Sequence, residues 1–344
     1  MADTPPPTQR DIARQAGVNV STVSLALRNH PSIPPATCRR IQQIAERMGY
    51  ARDAVLTEAM QHLRRGRSAH QRLPLALLHG FPAKLDRMEE PHFAEYWGAA
   101  RRRAEQLGYY IEEFWMRDPA LNLPRLRQML IARGIRGLLL SQPVVRPADN
   151  QLDFNLEGFV AVHAGRCWFK PHLHVVAGHQ TYVARTCVQN VLGRGYRRIG
   201  LALPDDIGTV TDHEVEAMYY FVLSQERGLK PPPVFRSPDH DREGFLRWVR
   251  DEKPDVVVGP GFVYDWLRGA GYRAPRDIGF AGLSISPAFN ACSGVDRRNE
   301  DQAFALVDLL VSHLQRNETG APPFAKTVMI EGPWVDGGTL APRL

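Results

Sequence analysis

The chain has 344 residues, of which 44% are hydrophobic and 23% charged, and this composition excludes a disordered, collagen-like or disulfide-rich protein. Its length predicts at least two domains. No apolar run approaches the roughly 18 residues that a membrane helix needs, and the opening MADTPPPTQR lacks the apolar stretch of a secretion signal, so we expect a cytoplasmic protein.

The positive charge is concentrated at the N-terminus. Residues 1–72 contain 11 Arg, no Lys and 5 acidic residues, so they carry the whole formal net charge of +6. In the remainder of the chain, acidic and basic residues balance. A small basic unit ahead of a neutral body is typical of a nucleic-acid-binding module joined to a different domain, although a solvated basic arm would have the same composition.

The sequence predicts no cofactor, no metal site and no catalytic residues. The cysteines are scattered, without a C-x-x-C pair. His172, His174 and His179 are residues of a type that binds metals. However, side chains alternate in direction along an extended segment, so two histidines spaced as His172-x-His174 are common without a metal. Residues 282–286 place Ser284 after a predicted strand, yet the last glycine of a nucleophile elbow is missing. We therefore expect a protein that is not an enzyme.

The segment after Pro7 predicts three short helices. Thr8 can cap the first helix, whose apolar face is Ile12, Ala13 and Ala16, and Gly17 permits a tight turn after it. A second helix from Val20 to Leu27 turns Val23 and Leu27 toward the first. Pro34-Pro35 opens a third helix that runs to Met48. Two short helices around such a corner form a helix-turn-helix.

These residues carry a family resemblance. The pattern Thr8-x-x-Asp11-Ile12-Ala13-x-x-Ala16-Gly17-Val18-Asn19-x-x-Thr22-Val23-Ser24-x-x-Leu27-x-Asn29 resembles the DNA-binding signature of the lactose/galactose repressor (LacI/GalR) family, and Thr37, Ile41 and Met48-Gly49-Tyr50 continue it. The resemblance implies a transcriptional regulator, usually a repressor, that binds a pseudo-palindromic double-stranded DNA operator as a homodimer.

The resemblance also implies which side chains meet DNA. Val20, Ser21 and Leu25 correspond to the residues that face base edges. The residues that correspond to backbone-positioning ones are Thr8, Asn19, Thr22, Ser24, Asn29, Thr37 and Tyr50. Relatives often carry Arg or His where this chain has Leu25, and a leucine cannot donate to guanine but can contact a thymine methyl. We therefore expect an operator that differs from the lactose or purine type at that base pair.

Residues 53–72 resemble the hinge helix and linker of the family. In similar proteins this helix forms on the operator, and a leucine from each subunit enters and kinks the minor groove. Ala59 stands at that position here. Leu56, Ala59, Met60 and Leu63 still share one helical face, so two alternatives stay open: a hinge helix with Met60 as the wedge, and an amphipathic connector that never enters the groove.

From residue 73 onward, short apolar runs alternate with helical stretches, which predicts parallel sheets covered by helices on both faces. The predicted strands are Leu75–Leu78, Tyr109–Trp115, Gly137–Leu140, Phe159–Val162, Ile199–Leu203, Val256–Gly259, Ile278–Gly282 and Thr327–Ile330. The predicted helices are Phe93–Leu107, Leu123–Arg133, Gln180–Leu192, about 213–227, Asp241–Arg250 and Glu300–Arg316. One sheet would need about ten strands, so two subdomains are more natural.

The segments 195–200 (GYRRIG) and 275–282 (PRDIGFAG) resemble the periplasmic-binding-protein-like core of the same family. The fold class expected is thus α/β, with a helix-turn-helix domain (1–52), a hinge helix and linker (53–72), and a core (73–344) of two doubly wound parallel-sheet subdomains. The first subdomain is expected at about 73–164 and 292–322, and the second at about 165–290 and 325–340, with crossings near 163–166, 287–292 and 321–325.

The last eight residues show no heptads, so a C-terminal coiled coil is not expected.

The resemblance implies a small-molecule effector, such as a sugar or a sugar derivative, in the cleft at the carboxyl ends of the strands. The candidate cleft residues are His79, Phe81, Gln142, Trp168, Asp206, Glu216, Phe262 and Ser284. Relatives usually place an Arg where this chain has Glu216 or its neighbours, and an Asp where it has Ser284. A carboxylate cannot replace a guanidinium for the same ligand. The effector is therefore chemically different from the usual ones or absent, and a core that only dimerises is the alternative.

Overall fold

The described residues form a three-helix N-terminal domain followed by an α/β core with two sheets, as predicted. The computed structural model describes residues 9–48, 72–80, 91–118, 122–141, 152–166, 170–203, 205, 208, 211–237, 241–286 and 291–343. Within these ranges no helix is long and apolar enough to cross a membrane.

The N-terminal domain closes around a small apolar core. Its helices are α1 (Gln9–Ala16), α2 (Val20–Ala26) and α3 (Pro35–Arg47). Gly17 has a φ of +66°, a left-handed conformation that glycine adopts without strain, and so the chain turns sharply between α1 and α2. The buried residues come from all three helices: Ile12, Ala13, Ala16, Val23, Ala26, Cys38, Ile41, Ile44 and Ala45. The predicted apolar stripes are confirmed.

The core alternates strands and helices along the chain. Its strands are β1 (Leu73–His79), β2 (Tyr109–Trp115), β3 (Gly137–Leu140), β4 (Val160–Ala164), β5 (His174–Gly178), β6 (Ile199–Leu201), β7 (Val256–Gly259), β8 (Gly279–Ile285), β9 (Ser293–Asp296), β10 (Thr327–Ile330) and β11 (Trp334–Val335). Its helices are α4 (Pro91–Gln106), α5 (Leu123–Ala132), α6 (Gln180–Gly193), α7 (Glu214–Ser224), α8 (Arg242–Glu252), α9 (Gly261–Gly269) and α10 (Asn299–Arg316).

The first sheet has the order β10-β5-β4-β3-β1-β2, and every pairing in it is parallel. Helices α4 and α10 pack against one face, with Trp97 and Leu306 in that core. Helix α5 covers the other face through Leu126 and Leu130. Both faces are therefore buried, which explains why Leu138, Leu139 and Leu140 form a continuous apolar run instead of an alternating one.

The second sheet has the order β11-β9-β8-β7-β6. The pairings from β6 to β9 are parallel, and only the two-residue edge strand β11 is antiparallel to its neighbour. Helices α6 and α7 cover one face through Cys187 and Tyr219, and α8 and α9 cover the other through Phe245 and Val263. Each sheet with its helices forms one subdomain.

The chain crosses between the subdomains three times, and each crossing lies further along the chain than the sequence predicts. Strand β5 belongs to the first sheet and α6 packs on the second, so the first crossing lies at His179 instead of near 163–166. The second crossing joins β9 to α10, and the third joins β10 to β11. These two were expected near 287–292 and 321–325.

The first two crossings are misplaced for one reason, which is that β5 and β9 are not evident from the sequence. The third is misplaced because the predicted strand Thr327–Ile330 pairs with β5 and so belongs to the first sheet. His174 and Gly178 bound β5, and Ser293 and Gly294 open β9, so neither segment shows a long apolar run. Their backbone hydrogen bonds to neighbouring strands, which the sequence does not reveal, decide the sheet to which each belongs.

Candidate nucleic-acid interface and ligand cleft

Helix α2 presents its N-terminal end to solvent. Val23 and Ala26 are fully buried against α1 and α3, which turns the opposite side of the helix outward. Val20 is 41% exposed and Ser21 is exposed. Asn19 precedes the helix in an extended conformation, and its side chain makes no capping hydrogen bond to the helix. The first turn of α2 can therefore approach a groove of DNA with exposed side chains.

Three further residues of α2 predicted to meet DNA, Thr22, Ser24 and Leu25, are half-buried. Arg28 holds Ser24 in place, since its Nε donates to the Ser24 carbonyl oxygen at 2.9 Å and its Nη2 donates to Oγ at 3.0 Å. This clamp stabilises the second turn of the helix.

Asn29 lies in the turn that follows α2. Its φ of +51° is in the left-handed region, where asparagine is among the few residues tolerated. Gln42 of α3 fixes the turn, because its Nε2 donates to Asn29 Oδ1 at 2.7 Å and to the Ala26 carbonyl oxygen at 3.2 Å. Asn29 itself is exposed, and Thr37 in the first turn of α3 is half-buried.

The surface of the N-terminal domain is rich in exposed guanidinium groups. The exposed arginines are Arg10, Arg14, Arg39, Arg40 and Arg47. Guanidinium groups pair well with phosphates, and such contacts give affinity that is independent of base sequence. The basic charge found in the sequence is thus displayed on the domain that carries α2. Four residues predicted to bind DNA, namely Thr8, Tyr50, Ala59 and Met60, lie outside the described residues.

An ion pair places the carboxyl edge of the first sheet next to the second subdomain. Arg166 follows β4, and its Nη2 donates to Oε1 of Glu214, the first residue of α7. The two side chains are 26% and 18% exposed, so the pair is partly shielded from water. The ends of the strands of the first sheet therefore lie next to the N-terminus of α7. We refer to this boundary between the subdomains as the cleft.

Glu216 is the predicted cleft residue that the structure shows in most detail. It is buried in the first turn of α7, where the helix dipole favours a carboxylate. Its Oε1 accepts from Arg236, and its Oε2 lies 3.6 Å from His213 Nδ1. Its charge is thus compensated within the second subdomain.

His79 ends β1 and is fully buried. Its Nε2 lies 3.0 Å from Glu113 Oε2, and Glu113 also pairs with Arg101. The imidazole stacks on Trp115 at 5.2 Å between ring centroids. Burial, with a smaller contribution from the Arg101 charge, lowers the pKa of His79 to about 4. The ring is therefore neutral near pH 7.

Three hydrogen-bond donors beside His79 are not evident from the sequence. They are Tyr96 Oη, Trp115 Nε1 and Ser141 Oγ, which are buried and have no hydrogen-bond partner among the described residues. Ser141 continues β3, since its N–H donates to the Leu78 carbonyl oxygen at 3.0 Å. Trp115 and Ser141 stand singly at the ends of strands and Tyr96 stands within α4, so no spacing in the sequence signals them and only the packed structure identifies them.

The other predicted cleft residues do not form one cluster with His79. Phe262 is half-buried in α9, with its ring 5.0 Å from that of Trp266, and Ser284 is half-buried near the end of β8. Both belong to the second subdomain, whereas His79 belongs to the first. Four further candidates, Phe81, Gln142, Trp168 and Asp206, lie outside the described residues.

The histidines considered as metal ligands have other contacts. His174 stacks on His313 with ring centroids 4.1 Å apart, and its Nδ1 accepts from the Lys326 N–H at 2.9 Å. His179 Nδ1 lies 2.9 Å from Glu331 Oε1. In the part of the chain that the structure describes, no group of three or more His, Cys, Asp or Glu side chains could hold a metal ion.

Comparison with known proteins adds a family and a fold. Residues 8–53 match the model of the family described as bacterial regulatory proteins, lacI family. No curated protein sequence shows significant similarity to the chain. The transcriptional regulator CelR in complex with cellobiose is similar in structure, with a TM-score of 0.59 and 19% identity over 97% of this chain and 99% of that chain.

Two other solved structures show the same likeness. The lac repressor dimer bound to operator and an anti-inducer has a TM-score of 0.56 and 15% identity, over 97% of this chain and 99% of that chain. A LacI-family regulator from Silicibacter pomeroyi has a TM-score of 0.54 and 17% identity, over 98% of this chain and all of that chain. Residues 8–53 thus form a domain of the lacI family of bacterial regulatory proteins, and the chain has along its length the fold of the solved regulators named above.

Proposed function

We propose that the protein represses transcription by binding a pseudo-palindromic operator as a homodimer. The observation that carries this proposal is the outward face of α2, where Val20 and Ser21 project from a lacI-family domain whose surface is basic. Two such helices, one from each protomer, would enter successive major grooves. The two-fold axis of the dimer would then set the spacing of the half-sites.

The proposed roles of the DNA-binding residues follow from the resemblance to the family. Val20, Ser21 and Leu25 read base edges. Asn19, Thr22, Ser24, Asn29 and Thr37, together with Thr8 and Tyr50, hold phosphates. Ala59 and Met60 belong to the proposed hinge (53–72), between the DNA-binding domain (1–52) and the core (73–344). The lac repressor, which has a similar fold, is a dimer on its operator, and this supports the dimeric arrangement.

We further propose that a small molecule in the cleft modulates operator binding. CelR, which shares the fold, binds cellobiose, so a core of this shape can hold a carbohydrate-sized ligand. A ligand shifts operator affinity only by its differential affinity for the two arrangements of the subdomains. The ligand contacts proposed for this chain are His79, Glu216, Phe262 and Ser284, with Phe81, Gln142, Trp168 and Asp206.

A second function is a constitutive DNA-binding regulator whose core only dimerises. The observation that favours it is the engagement of the charged groups on the second subdomain, since Glu214 is paired with Arg166 and Glu216 with Arg236. Saturable stabilisation of the protein by a small molecule would rule this alternative out.

The experiment that tests the main proposal is selection of DNA duplexes from a random pool by the purified full chain. The enriched sequences should contain two inverted half-sites. Ser21→Ala should reduce the ratio of operator to random-DNA affinity by about tenfold, because a base contact is lost. Thr37→Ala should weaken both affinities by the same factor, because a phosphate contact is independent of sequence. A pool without enrichment would contradict the proposal.

A further inference from the structure

We propose that the cleft wall formed by the first subdomain and the second crossing binds the acidic group of a small organic anion, with Arg297 as its counter-charge and Tyr96, Trp115 and Ser141 as hydrogen-bond donors. This inference rests on the proposed effector-binding function and names the chemical class of the ligand.

Arg297 lies where the chain passes from β9 to α10. Its N–H donates to the Ile285 carbonyl oxygen of the second subdomain at 3.0 Å, and its own carbonyl oxygen accepts from Gln302 Nε2 of the first. Both subdomains thus fix its backbone. The neighbouring Arg298 pairs with Asp301 at 2.6 Å. Arg297 makes no ion pair with any carboxylate of the described residues, although solvent reaches its side chain.

Arg297 lies beside the first turns of α4, and its side chain is exposed to solvent. Partial loss of hydration lowers the pKa of its guanidinium, and Tyr96 and Glu95 of α4 lie close enough to raise it. Asn299 Nδ2 donates to Glu95 Oε2 at 2.7 Å, which ties the start of α10 to the first turns of α4. The guanidinium remains protonated at any physiological pH and can therefore pair with the acidic group of a ligand.

Buried donors that have no acceptor among the described residues continue from Arg297 along this wall. Tyr96 packs edge-on against Trp97 at 5.0 Å between ring centroids, and Trp97 in turn packs edge-on against His79 at 6.3 Å. His79 stacks on Trp115, and Ser141, which is 2% exposed, follows the strand that pairs with β1. Ser141 shares the α4-facing side of the sheet with Leu139, because residues i and i+2 of a strand point the same way.

The chemistry of these groups favours an anion. An indole N–H can only donate, and burial raises the pKa of Tyr96, so its hydroxyl keeps its proton and can donate. Buried donors that lack an acceptor are costly, and the oxygens of a carboxylate or phosphate would satisfy them with charge-assisted hydrogen bonds. The opposite wall does not repel an anion, because Arg166 and Arg236 compensate Glu214 and Glu216.

The test compares three probes with one carbon skeleton: D-gluconate, D-glucose 6-phosphate and neutral D-glucose. Binding is measured by titration calorimetry and thermal shift on the full chain at constant ionic strength. At least one anion should bind saturably and D-glucose about 100-fold more weakly. The anion that binds identifies the acidic group as carboxylate or phosphate.

Variants locate the site. Arg297→Gln should weaken anion binding by about tenfold or more, and Ser141→Ala should weaken it by about threefold. Arg102→Gln is the matched control, because it removes one charge from an exposed pair with Glu300 that also joins α4 and α10. It should leave binding unchanged. Ser141→Ala keeps the proposal testable if Arg297→Gln does not fold.

Three results would overturn the inference: equal binding of D-glucose and the anions, absence of saturable anion binding, or anion affinity that neither variant changes. The last result would indicate binding to the basic N-terminal domain instead. Operator binding is measured on the same preparations. If the anion test fails while operator binding is intact, the proposal for the ligand is wrong and the regulator function is unaffected. Absence of operator binding would contradict the regulator function separately.

Discussion

Arg166 and Glu214 form an ion pair that joins the two subdomains of the core. Arg166 follows a strand of the first sheet, and Glu214 opens the helix that covers the second. The N-terminus of α7 stabilises the Glu214 carboxylate through the helix dipole, in addition to the guanidinium. Any movement that separates the subdomains along this edge must break the pair. Its strength therefore contributes to the balance between open and closed arrangements of the cleft.

Glu214→Gln should destabilise the core by about 1–3 kcal/mol, since it removes the carboxylate from a partly shielded guanidinium. Urea unfolding measures this loss. The double variant Arg166→Met/Glu214→Gln should recover part of it. The exposed pair between Arg102 and Glu300 supplies the control, because Arg102→Gln should cost less than about 1 kcal/mol. Equal losses for Glu214→Gln and Arg102→Gln would show that the pair does not hold the subdomains together.

Leu25 should determine one base pair of the operator by apolar contact. Leu25→Arg should create a preference for guanine at that position, worth about 1–3 kcal/mol, because a guanidinium can donate to guanine O6 and N7. Duplex selection with the variant and the parent protein measures the change. A guanine-dependent half-site that is recovered by the parent and is unaffected by Leu25→Ala would contradict this role.

The sequence predicts the DNA-binding domain and most of the core, and the failures are local. Strands such as Val256–Gly259 and Gly137–Leu140 are buried apolar runs, so their composition alone identifies them. Helix α9 is missed because Gly259, Pro260 and Gly261 indicate a turn, whereas Gly259 ends β7 and Gly261 already begins the helix. Strands β5 and β9 are missed because pairing, which depends on distant residues, makes them strands.

The sequence predicts the DNA-facing residues of α2 better than it predicts the residues of the cleft. The spacing of Val20, Ser21 and Leu25 within a recognisable pattern indicates a DNA-facing helix from the amino-acid sequence alone. Arg297 has no such signal, because it stands next to a second arginine in a charged segment. Only the packing shows that Arg298 is paired with Asp301 while Arg297 has no carboxylate partner among the described residues.

Ile41→Ala should unfold the DNA-binding domain while the core stays folded. Ile41 is fully buried, and the loss of such a side chain costs about 2–5 kcal/mol, which is large for a domain of this size. We expect loss of operator binding with little change in the main thermal transition. Ile131→Ala is the control, since Ile131 is 51% exposed and its loss should leave both properties unchanged. Wild-type operator binding by Ile41→Ala would contradict the assigned core.

The core should lose stability as the pH falls below about 6.5, the ordinary pKa of histidine. Burial lowers the pKa of His79, His163 and His174 to about 4 each. At His163 the hydrogen bond to the Gly165 carbonyl oxygen raises the pKa, but by less than burial lowers it. Between pH 6.5 and 4 the unfolded chain binds protons that the folded chain does not. The free energy of unfolding should therefore be constant above pH 7 and fall by up to about 1.4 kcal/mol per pH unit for each histidine.

Urea unfolding at several pH values tests this dependence in the parent protein and in a variant. His163→Leu should reduce the slope by about 1.4 kcal/mol per pH unit, since one buried site no longer binds a proton on unfolding. A slope that is the same in the two proteins would show that His163 does not contribute.

The most direct test of the central claim is the stoichiometry and affinity of the full chain on its selected operator, measured by light scattering and band shift. The account predicts two chains per duplex, and an affinity that falls by about 100-fold or more when one half-site is scrambled, because one of the two helices then loses its base contacts. One chain per duplex, with equal affinity for the intact and the half-scrambled site, would contradict it.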